Sequence, residues 1–333
     1  MSRAPQHRGA RGGAHVSVFH PGELATQARA GAPAAVQAMG PRMIRDHLVE
    51  QHRAFFAQLP FVVACGRDGE GRPWVSLVAG TPGFARAPSP GELRVDALPS
   101  QDDPLGEAVH TGAPLGLLGI ELPTRRRNRL NGYVRGRDAR GFSVQVQQSF
   151  GNCPQYITPR AVEYVGPMGA PCARAGGTSR AARAEDRTPP SRAGQLSPQH
   201  VALIERADTF FIGSGAYDGS GAYDDAAHGA GGLDVSHRGG PPGFVRVDDA
   251  RRLVFPDYAG NNLYNTLGNL ASDARAGLLF VDFAAGAWLH LTGRAEVLWD
   301  SPRTAAFPGA RRLVSFEVDA CVWRSRRGPL RFS

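Results

Sequence analysis

The sequence contains no lysine, and all 38 of its basic residues are arginines, against 30 acidic residues. This absence excludes a lysine Schiff base and the lysine of a phosphate-binding P-loop. The net charge of +8 would suit a nucleic-acid-binding protein, but the arginines are dispersed and have few aromatic neighbours. We therefore expect no nucleic-acid partner.

The sequence also lacks long apolar runs and paired cysteines. No apolar run has the length of a membrane span, and the first fifteen residues are too polar for a secretory signal. We therefore expect a cytoplasmic protein with no membrane partner. The cysteines show no C-x-x-C spacing, which favours reduced structural thiols over a zinc site or disulfides. They are Cys65, Cys153, Cys172 and Cys321.

One domain occurs twice in this sequence. Residues 75–86 read VSLVAGTPGFAR and residues 235–246 read VSHRGGPPGFVR, with seven of the twelve positions identical. Further on, Gly116-Leu117-Leu118 returns as Gly277-Leu278-Leu279. Short apolar runs separated by turn residues indicate antiparallel barrels rather than an α/β sheet. We predict a mainly β fold of two barrels.

Composition divides the chain into four segments. We expect residues 1–40 to be mostly disordered and residues 41–165 to form the first barrel, opening with a helix over 41–59. Residues 166–195, rich in Gly, Pro, Ala and Arg, are typical of a flexible linker. Residues 196–333 form the second barrel. It carries an additional low-complexity loop at 214–232, for which the sequence predicts no role.

The two copies differ where an anion could bind. In the second copy, a strand leads through Gly260-Asn261-Asn262 into a helix predicted over 262–272, and a helix N-terminus suits a phosphate. Asn261 or Asn262 could cap this helix, and Arg238 could grip the phosphate. The corresponding first-copy residues are Val78, Asp102 and Asp103, so a phosphate would meet two carboxylates and no arginine. The alternative is that the asparagine is only a cap and Arg238 only a surface residue.

The order of motifs in the second copy resembles a known family. SHRGGPPGFV, LVFPDYAGNN, NLASDARAGLLF and LHLTGRAEV follow one another as in the pyridoxamine 5'-phosphate oxidase-like family of FMN-binding split barrels. The first copy ends in Asn152-Cys153-Pro154, which is similar to the closing motif of many relatives. The resemblance implies tandem split barrels that pack as a pseudo-dimer within the chain, and two chains could also pair as a homodimer. FMN would lie across the interface of the two barrels, bound to the second copy, while the site in the first copy is degenerate.

The resemblance also implies a set of cofactor-binding residues. Arg238 would hold the FMN phosphate, and the turn at 260–262 would surround that phosphate. Asp257 and Tyr258 would lie near the ribityl chain or the flavin ring. The facing copy would supply an arginine from its Arg-rich strand, although that run could equally form a solvated strand edge. The complete set is Ser236, His237, Arg238, Asp257, Tyr258, Gly260, Asn261, Asn262, Arg126, Arg127 and Arg129.

The family implies an FMN-dependent oxidoreductase acting on a small-molecule substrate, with a small-molecule electron donor or a reductase partner. No catalytic acid or base is identified. The basic residues typical of true pyridoxamine-phosphate oxidases are asparagines here, and no second phosphate site is identified, so that specific activity is not expected. The alternatives are a carrier that holds flavin, deazaflavin or haem without turnover, and a barrel whose flavin site has decayed.

A metal site is a further possibility, because histidines and aspartates lie close together in a glycine-rich stretch. Histidines in such loops are more often solvated, and we expect no metal. The residues concerned are Asp224, Asp225, His228, Asp234 and His237.

Overall fold

The computed structural model describes residues 17–166, 191–216, 232–324 and 328–333. Each half of the chain forms one large antiparallel sheet. The first sheet comprises β1 (Phe61–Arg67), β2 (Pro73–Ala79), β3 (Ala85–Ser89), β4 (Glu92–Val95), β5 (Pro114–Glu121), β6 (Arg126–Arg137) and β7 (Phe142–Gly151). After it come two short strands, β8 (Val162–Tyr164) and β9 (Ser191–Ala193).

The second sheet comprises β10 (Thr209–Ala216), β11 (Gly232–Gly239), β12 (Arg246–Asp249), β13 (Arg252–Tyr258), β14 (Arg275–Val281), β15 (Trp288–Leu298) and β16 (Ala310–Arg324), and β17 (Leu330–Phe332) ends the chain. The helices are α1 (Pro21–Arg29), α2 (Ala34–Met43), α3 (Glu50–Gln58), α4 (Pro198–Arg206) and α5 (Asn265–Ser272). In addition, 3-10 turns span Pro104–Ala108 and Pro302–Ala306. Among the described residues, none of these helices has the length and apolar content to cross a bilayer.

The two sheets share one strand order. The first runs β2-β1-β5-β6-β7-β4-β3 and the second runs β11-β10-β14-β15-β16-β13-β12, which is the same order when β1–β7 are matched to β10–β16. β9 adds to β16, and β17 pairs with β8 from the end of the first half. The structure confirms the predicted mainly β fold of tandem split barrels.

The central strands are apolar at nearly every position because both of their faces are buried. In β1, Val62 and Ala64 face the core of the first barrel, whereas Val63 and Cys65 face a core shared by the two barrels. A continuous apolar run is typical of a strand covered on both sides. The shared core also contains Phe211, Leu279 and Val281 of the second barrel. The barrels are therefore packed together by apolar burial rather than tethered side by side.

The repeated glycine of the Gly-Leu-Leu motif lies at a close approach between the two barrels. A Cβ atom on Gly116 would lie 2.9 Å from Cα of Asp234, and one on Gly277 would lie 2.6 Å from the carbonyl oxygen of Pro73. Real Cβ atoms do not come this close to backbone, so each barrel needs a glycine where it meets the other. The repeated glycine is therefore required for the two barrels to pack against each other.

The structure corrects the N-terminal boundaries. Within the segment expected to be mostly disordered, residues 21–29 form α1 and residues 34–43 form α2, which ends where the predicted helix over 41–59 should begin. The helix before β1 is shorter, Glu50–Gln58. Residues 191–193, assigned to the linker, form β9. The other parts of the predicted disorder, linker and low-complexity loop, residues 1–16, 167–190 and 217–231, lie outside the described residues.

Candidate functional site

A cavity of ≈390 Å³ lies at the junction of the two barrels. Its walls come from β11, β13, α5 and β16 of the second barrel, from β6 and the residues after β7 of the first, and from residues 30–33. The cavity gathers ten of the eleven predicted cofactor residues. These are Ser236, His237, Arg238, Asp257, Tyr258, Gly260, Asn261, Asn262, Arg127 and Arg129.

Arg126, the remaining predicted residue, does not line this cavity. Side chains alternate between the two faces of a strand, so Arg127 and Arg129 share one face of β6 while Arg126 points to the other. The Arg126 guanidinium lies 4.6 Å from the ring centre of Phe55 and donates to the carbonyl oxygen of Gln51 at 3.2 Å. The Arg-rich run is thus divided, with two arginines at the cavity and one on an outer face.

Arg129 crosses from the first barrel into the second. Its Nη2 donates to Ser236 Oγ at 2.5 Å, its Nη1 donates to Asn265 Oδ1 at 3.0 Å, and its Nε lies 3.0 Å from Asp234 Oδ1. Burial lowers the pKa of Arg129 and raises the pKa of Asp234, while each charge favours the charged form of the other. This buried ion pair holds the cavity-facing surfaces of the two barrels in register.

Arg127 fixes the hydrogen bonding of His237. Its Nε donates to the carbonyl oxygen of Cys153 at 2.8 Å, and its Nη1 lies 3.3 Å from His237 Nδ1. Burial, with Arg129 and Arg238 nearby, lowers the pKa of Arg127 to about 10. Burial and the adjacent arginines lower the pKa of His237 well below its usual value, so the ring is neutral at pH 7. With Nδ1 accepting, the ring proton is assigned to Nε2, which has no partner among the described residues.

Asp257 is shared by two arginines of the second barrel. Arg238 Nη1 donates to Asp257 Oδ1 at 3.0 Å, and Arg312 Nε lies 3.4 Å from Asp257 Oδ2. Arg312, on β16, did not figure in the sequence prediction because its partner on β13 is 55 residues away in the chain. The turn residues alone gave no sign that β16 would face the cavity.

The turn before α5 differs from the prediction. The helix begins at Asn265, not at Asn262, and the residue preceding it, Tyr264, has φ 58° and no side-chain capping bond. Asn262 also lies in the left-handed region, with φ 60°. The Asn261 side chain accepts from the backbone N–H of Leu263 at 3.2 Å, so it closes the turn and does not cap the helix.

The closing motif of the first barrel reaches the same cavity. The ring of Tyr156 stacks on Tyr258 with centroids 5.1 Å apart, and its hydroxyl donates to the carbonyl oxygen of Ala259 at 3.2 Å. A Cβ atom on Gly239 would lie 1.9 Å from the carbonyl oxygen of Tyr156, so only glycine permits this approach. Tyr156 is a cavity residue that the sequence did not identify.

The N-terminal helix, expected to be disordered, supports the cavity from behind. α1 docks on α5 through His20 Nε2, 2.9 Å from Asn269 Oδ1, and Gln27 Nε2, which donates to the carbonyl oxygen of Leu263 at 3.1 Å. Glu23 is buried there and accepts from the Asn265 side chain. Burial raises the pKa of Glu23 to about 8, so this carboxyl is largely protonated at pH 7.

The first barrel has a second cavity, of ≈780 Å³, at the equivalent place. The matching strand registers confirm that Val78 corresponds to Arg238. The prediction that no arginine is present there is wrong, because Arg324 reaches in from β16 and donates to Asp103 at 2.6 Å. The polar residues His237, Asp257 and Arg127 are replaced there by Leu77, Ala97 and Trp288.

The metal and cysteine predictions are only partly covered by the structure. Within the described ranges no three His, Cys, Asp or Glu side chains cluster as metal ligands would. Asp224, Asp225, His228 and Cys172 lie outside these ranges. The other cysteines, Cys65, Cys153 and Cys321, are free thiols.

Comparison with known proteins singles out the second barrel. Residues 196–322 match the family model for pyridoxamine 5'-phosphate oxidase. The second barrel belongs to this family. The match spans β10 to β16 and so includes every cavity residue that the second barrel contributes from these strands and α5. No curated protein matches the chain.

Solved structures similar to this chain align with well under half of it. A Lactobacillus delbrueckii protein provisionally assigned as a pyridoxamine 5'-phosphate oxidase is 16% identical over 39% of this chain and 94% of its own, with a TM-score of 0.30. HupZ of Group A Streptococcus is 10% identical over 39% of this chain and 94% of its own, with a TM-score of 0.30. An FMN-binding protein of Syntrophomonas wolfei is 9% identical over 38% of this chain and 83% of its own, with a TM-score of 0.26. These values are too low to inform on ligand or activity.

Proposed function

We propose that the junction cavity binds FMN, one molecule per chain, and that the protein is a flavin-dependent oxidoreductase. The observation that carries the proposal is the charge of the cavity lining in the barrel that belongs to the family. Among the described residues, five arginines and a single carboxylate, Asp257, line this cavity; the arginines are Arg127, Arg129, Arg238, Arg311 and Arg312. Such a surface is suited to an anionic ligand.

The residues present fit a flavin phosphate. The volume of ≈390 Å³ lies within the usual range for small-molecule sites. Arg238 Nε and His237 Nε2 are buried without a hydrogen-bond partner among the described residues, and buried donors are normally satisfied. Arg238 and the turn at 260–262 would hold the phosphate, and Arg127 and Arg129 would reach the cofactor from the facing barrel.

Bound FMN would supply hydride or electron transfer, and the protein would supply orientation and electrostatics. Arg127 and Arg129 would close the site from the first barrel. A single chain would thus supply both barrels between which the family binds FMN. The stacked rings of Tyr156 and Tyr258 would cover one side of the cavity. His237, neutral and with its proton assigned to Nε2, would act as a fixed hydrogen-bond donor rather than a base.

We extend the proposal to the reaction partners. A small-molecule substrate would enter beside the cofactor, and electrons would come from a nicotinamide donor or a reductase in the cytoplasm. Because the chain already contains both barrels, pairing of two chains would not be needed to complete the site.

Purified protein tests this proposal through its visible spectrum. A yellow preparation that bleaches under anaerobic NADH or NADPH and recovers in air supports an oxidoreductase. Colour that persists with every donor and with a flavin reductase supports the carrier alternative instead. A colourless protein that does not take up added FMN would refute the flavin site.

A further inference from the structure

Arg312, which the sequence did not identify, has more buried donor atoms without a hydrogen-bond partner than any other arginine of the cavity, counted among the described residues. The side chain of Arg312 is 8% exposed, and its Nε and Nη1 have no hydrogen-bond partner among the described residues. Its nearest carboxylate, Asp257, lies 3.4 Å from Nε and accepts a better hydrogen bond from Arg238. Arg312 is therefore a buried cation with unused donors at the wall of the cavity.

Neighbouring aromatic rings hold this guanidinium in place. Its central carbon lies 4.5 Å from the ring centre of Trp299 and 5.2 Å from that of Tyr264. Contacts of this kind hold the guanidinium plane, while its N–H groups lie along the edges of that plane. A planar fork of N–H donors matches the two oxygens of a carboxylate or phosphate.

The charge of the cavity exceeds what a flavin phosphate can balance. In the part of the chain that the structure describes, five arginines line it, and two carboxylates, Asp257 and Asp234, are paired with them. A phosphate monoester contributes at most about two further negative charges. Glu23, which lies nearby, is largely protonated at neutral pH and contributes little. The positive charge on the lining thus exceeds the negative charge when the cofactor is bound. Arg311 is exposed to solvent, and of the other four arginines Arg312 has two buried donors, Nε and Nη1, without a hydrogen-bond partner among the described residues.

We propose that Arg312 forms a second anion subsite and that the substrate of this protein is an organic acid whose carboxylate it binds. This inference rests on the proposed flavin site and specifies its substrate class. The cofactor phosphate would occupy Arg238, and the acid group would occupy Arg312 on the other side of Asp257. The acid would thereby be held in the same cavity as the flavin.

Calorimetric titration with matched probes tests this subsite. Benzoate and inorganic phosphate are the anionic probes, and benzamide is the uncharged match for benzoate. The FMN-loaded protein should bind benzoate and not benzamide, and Arg312→Gln should weaken benzoate binding about 10- to 150-fold, the scale of a charge-assisted hydrogen bond. Tighter binding of phosphate than benzoate would instead indicate a phosphate ester and overturn the assignment to a carboxylate.

Control variants separate binding from folding. Arg312→Lys keeps the charge and loses the fork, so it should bind benzoate more weakly than the wild type and more tightly than Arg312→Gln. Arg294→Gln, on the exposed surface of β15, should leave benzoate binding unchanged. Thermal melting shows whether each variant is folded. If Arg312→Gln does not fold, the comparison between the wild type and Arg312→Lys decides.

Three further results would overturn the inference. One is benzoate binding that is equal in wild type, Arg312→Lys and Arg312→Gln. Another is a wild-type protein that binds neither anion. The third is a loss of FMN affinity in Arg312→Gln as large as in Arg238→Ala, with riboflavin affinity unchanged, which would assign Arg312 to the cofactor phosphate. If the protein takes up no FMN, the proposed function fails separately, and the same titrations on the flavin-free protein still test Arg312.

Discussion

Arg238 and its first-barrel counterpart Val78 allow a direct test of the asymmetry between the two barrels. We expect Arg238→Ala to weaken FMN binding and Val78→Ala to leave it unchanged. Both residues occupy the same place in equivalent strands, but only Arg238 lines the junction cavity. Val78 is buried in the core of its own barrel, so its truncation acts on stability and not on the cofactor.

The magnitude follows from the contacts of Arg238. A hydrogen bond to a charged group contributes about 1.5–3 kcal/mol, which corresponds to about 10- to 150-fold in Kd. The side chain is 21% exposed, so partial solvent screening favours the lower half of this range. Its removal also leaves Asp257 with only the longer contact to Arg312, at 3.4 Å, and this less neutralised carboxylate would repel the phosphate.

The assay is a fluorescence titration with FMN and, in parallel, with riboflavin, which lacks the phosphate. Arg238→Ala should lose affinity for FMN and retain its affinity for riboflavin. Equal losses for both ligands would show that Arg238 does not bind the phosphate. Equal losses of FMN affinity in Arg238→Ala and Val78→Ala would refute the assignment of the site to the second barrel.

Three further predictions concern the packing around the site. Gly116→Ala should destabilise the fold by about 1–3 kcal/mol in urea titrations, because its Cβ would lie 2.9 Å from Asp234 Cα. The control, Gly91→Ala, has open space around it and should change stability by under about 0.5 kcal/mol. Equal effects of the two substitutions would contradict the close approach at Gly116. Asp234→Asn should lower the free energy of unfolding by about 3–5 kcal/mol, because it leaves the buried Arg129 charge unpaired. A decrease of less than about 1 kcal/mol would refute the buried ion pair. The pKa of Glu23 is raised from 4.5 to about 8, so the protonated form stabilises the fold and this contribution is lost as pH rises from 4.5 through 8. Glu23→Gln should therefore gain stability relative to the wild type over that range, on the order of a few kcal/mol, and parallel pH profiles would contradict it.

The sequence predicted the parts of the site that lie on one strand or one turn. Arg238 differs from Val78 at an aligned position, and this difference, together with the turn at 260–262, assigned the cofactor to the second barrel. That assignment stays a prediction. Period-two alternation along β6 would have separated Arg126 from Arg127 and Arg129, but the prediction took the three arginines together. The repeated glycine at 116 and 277 indicated a duplicated structural feature, but the sequence did not show which residues of the facing barrel each glycine contacts.

The rest of the site depends on contacts between distant segments. Arg312 faces Asp257 because β13 pairs with β16, and α1 reaches the cavity only by docking on α5. The helix start was misplaced because Asn262 and Tyr264 adopt left-handed conformations, which break the helix before Asn265. Neither strand order nor a left-handed tyrosine can be inferred from local spacing, since both are imposed by tertiary packing.

Native mass spectrometry of the purified chain, incubated with FMN and then exchanged into buffer, tests directly whether the junction of the two barrels holds a single flavin. We expect one FMN per chain in the wild type, with occupancy reduced in Arg238→Ala and unchanged in Val78→Ala. A mass that shows no FMN at any concentration, or two FMN molecules per chain, would contradict a single flavin site at the junction of the two barrels.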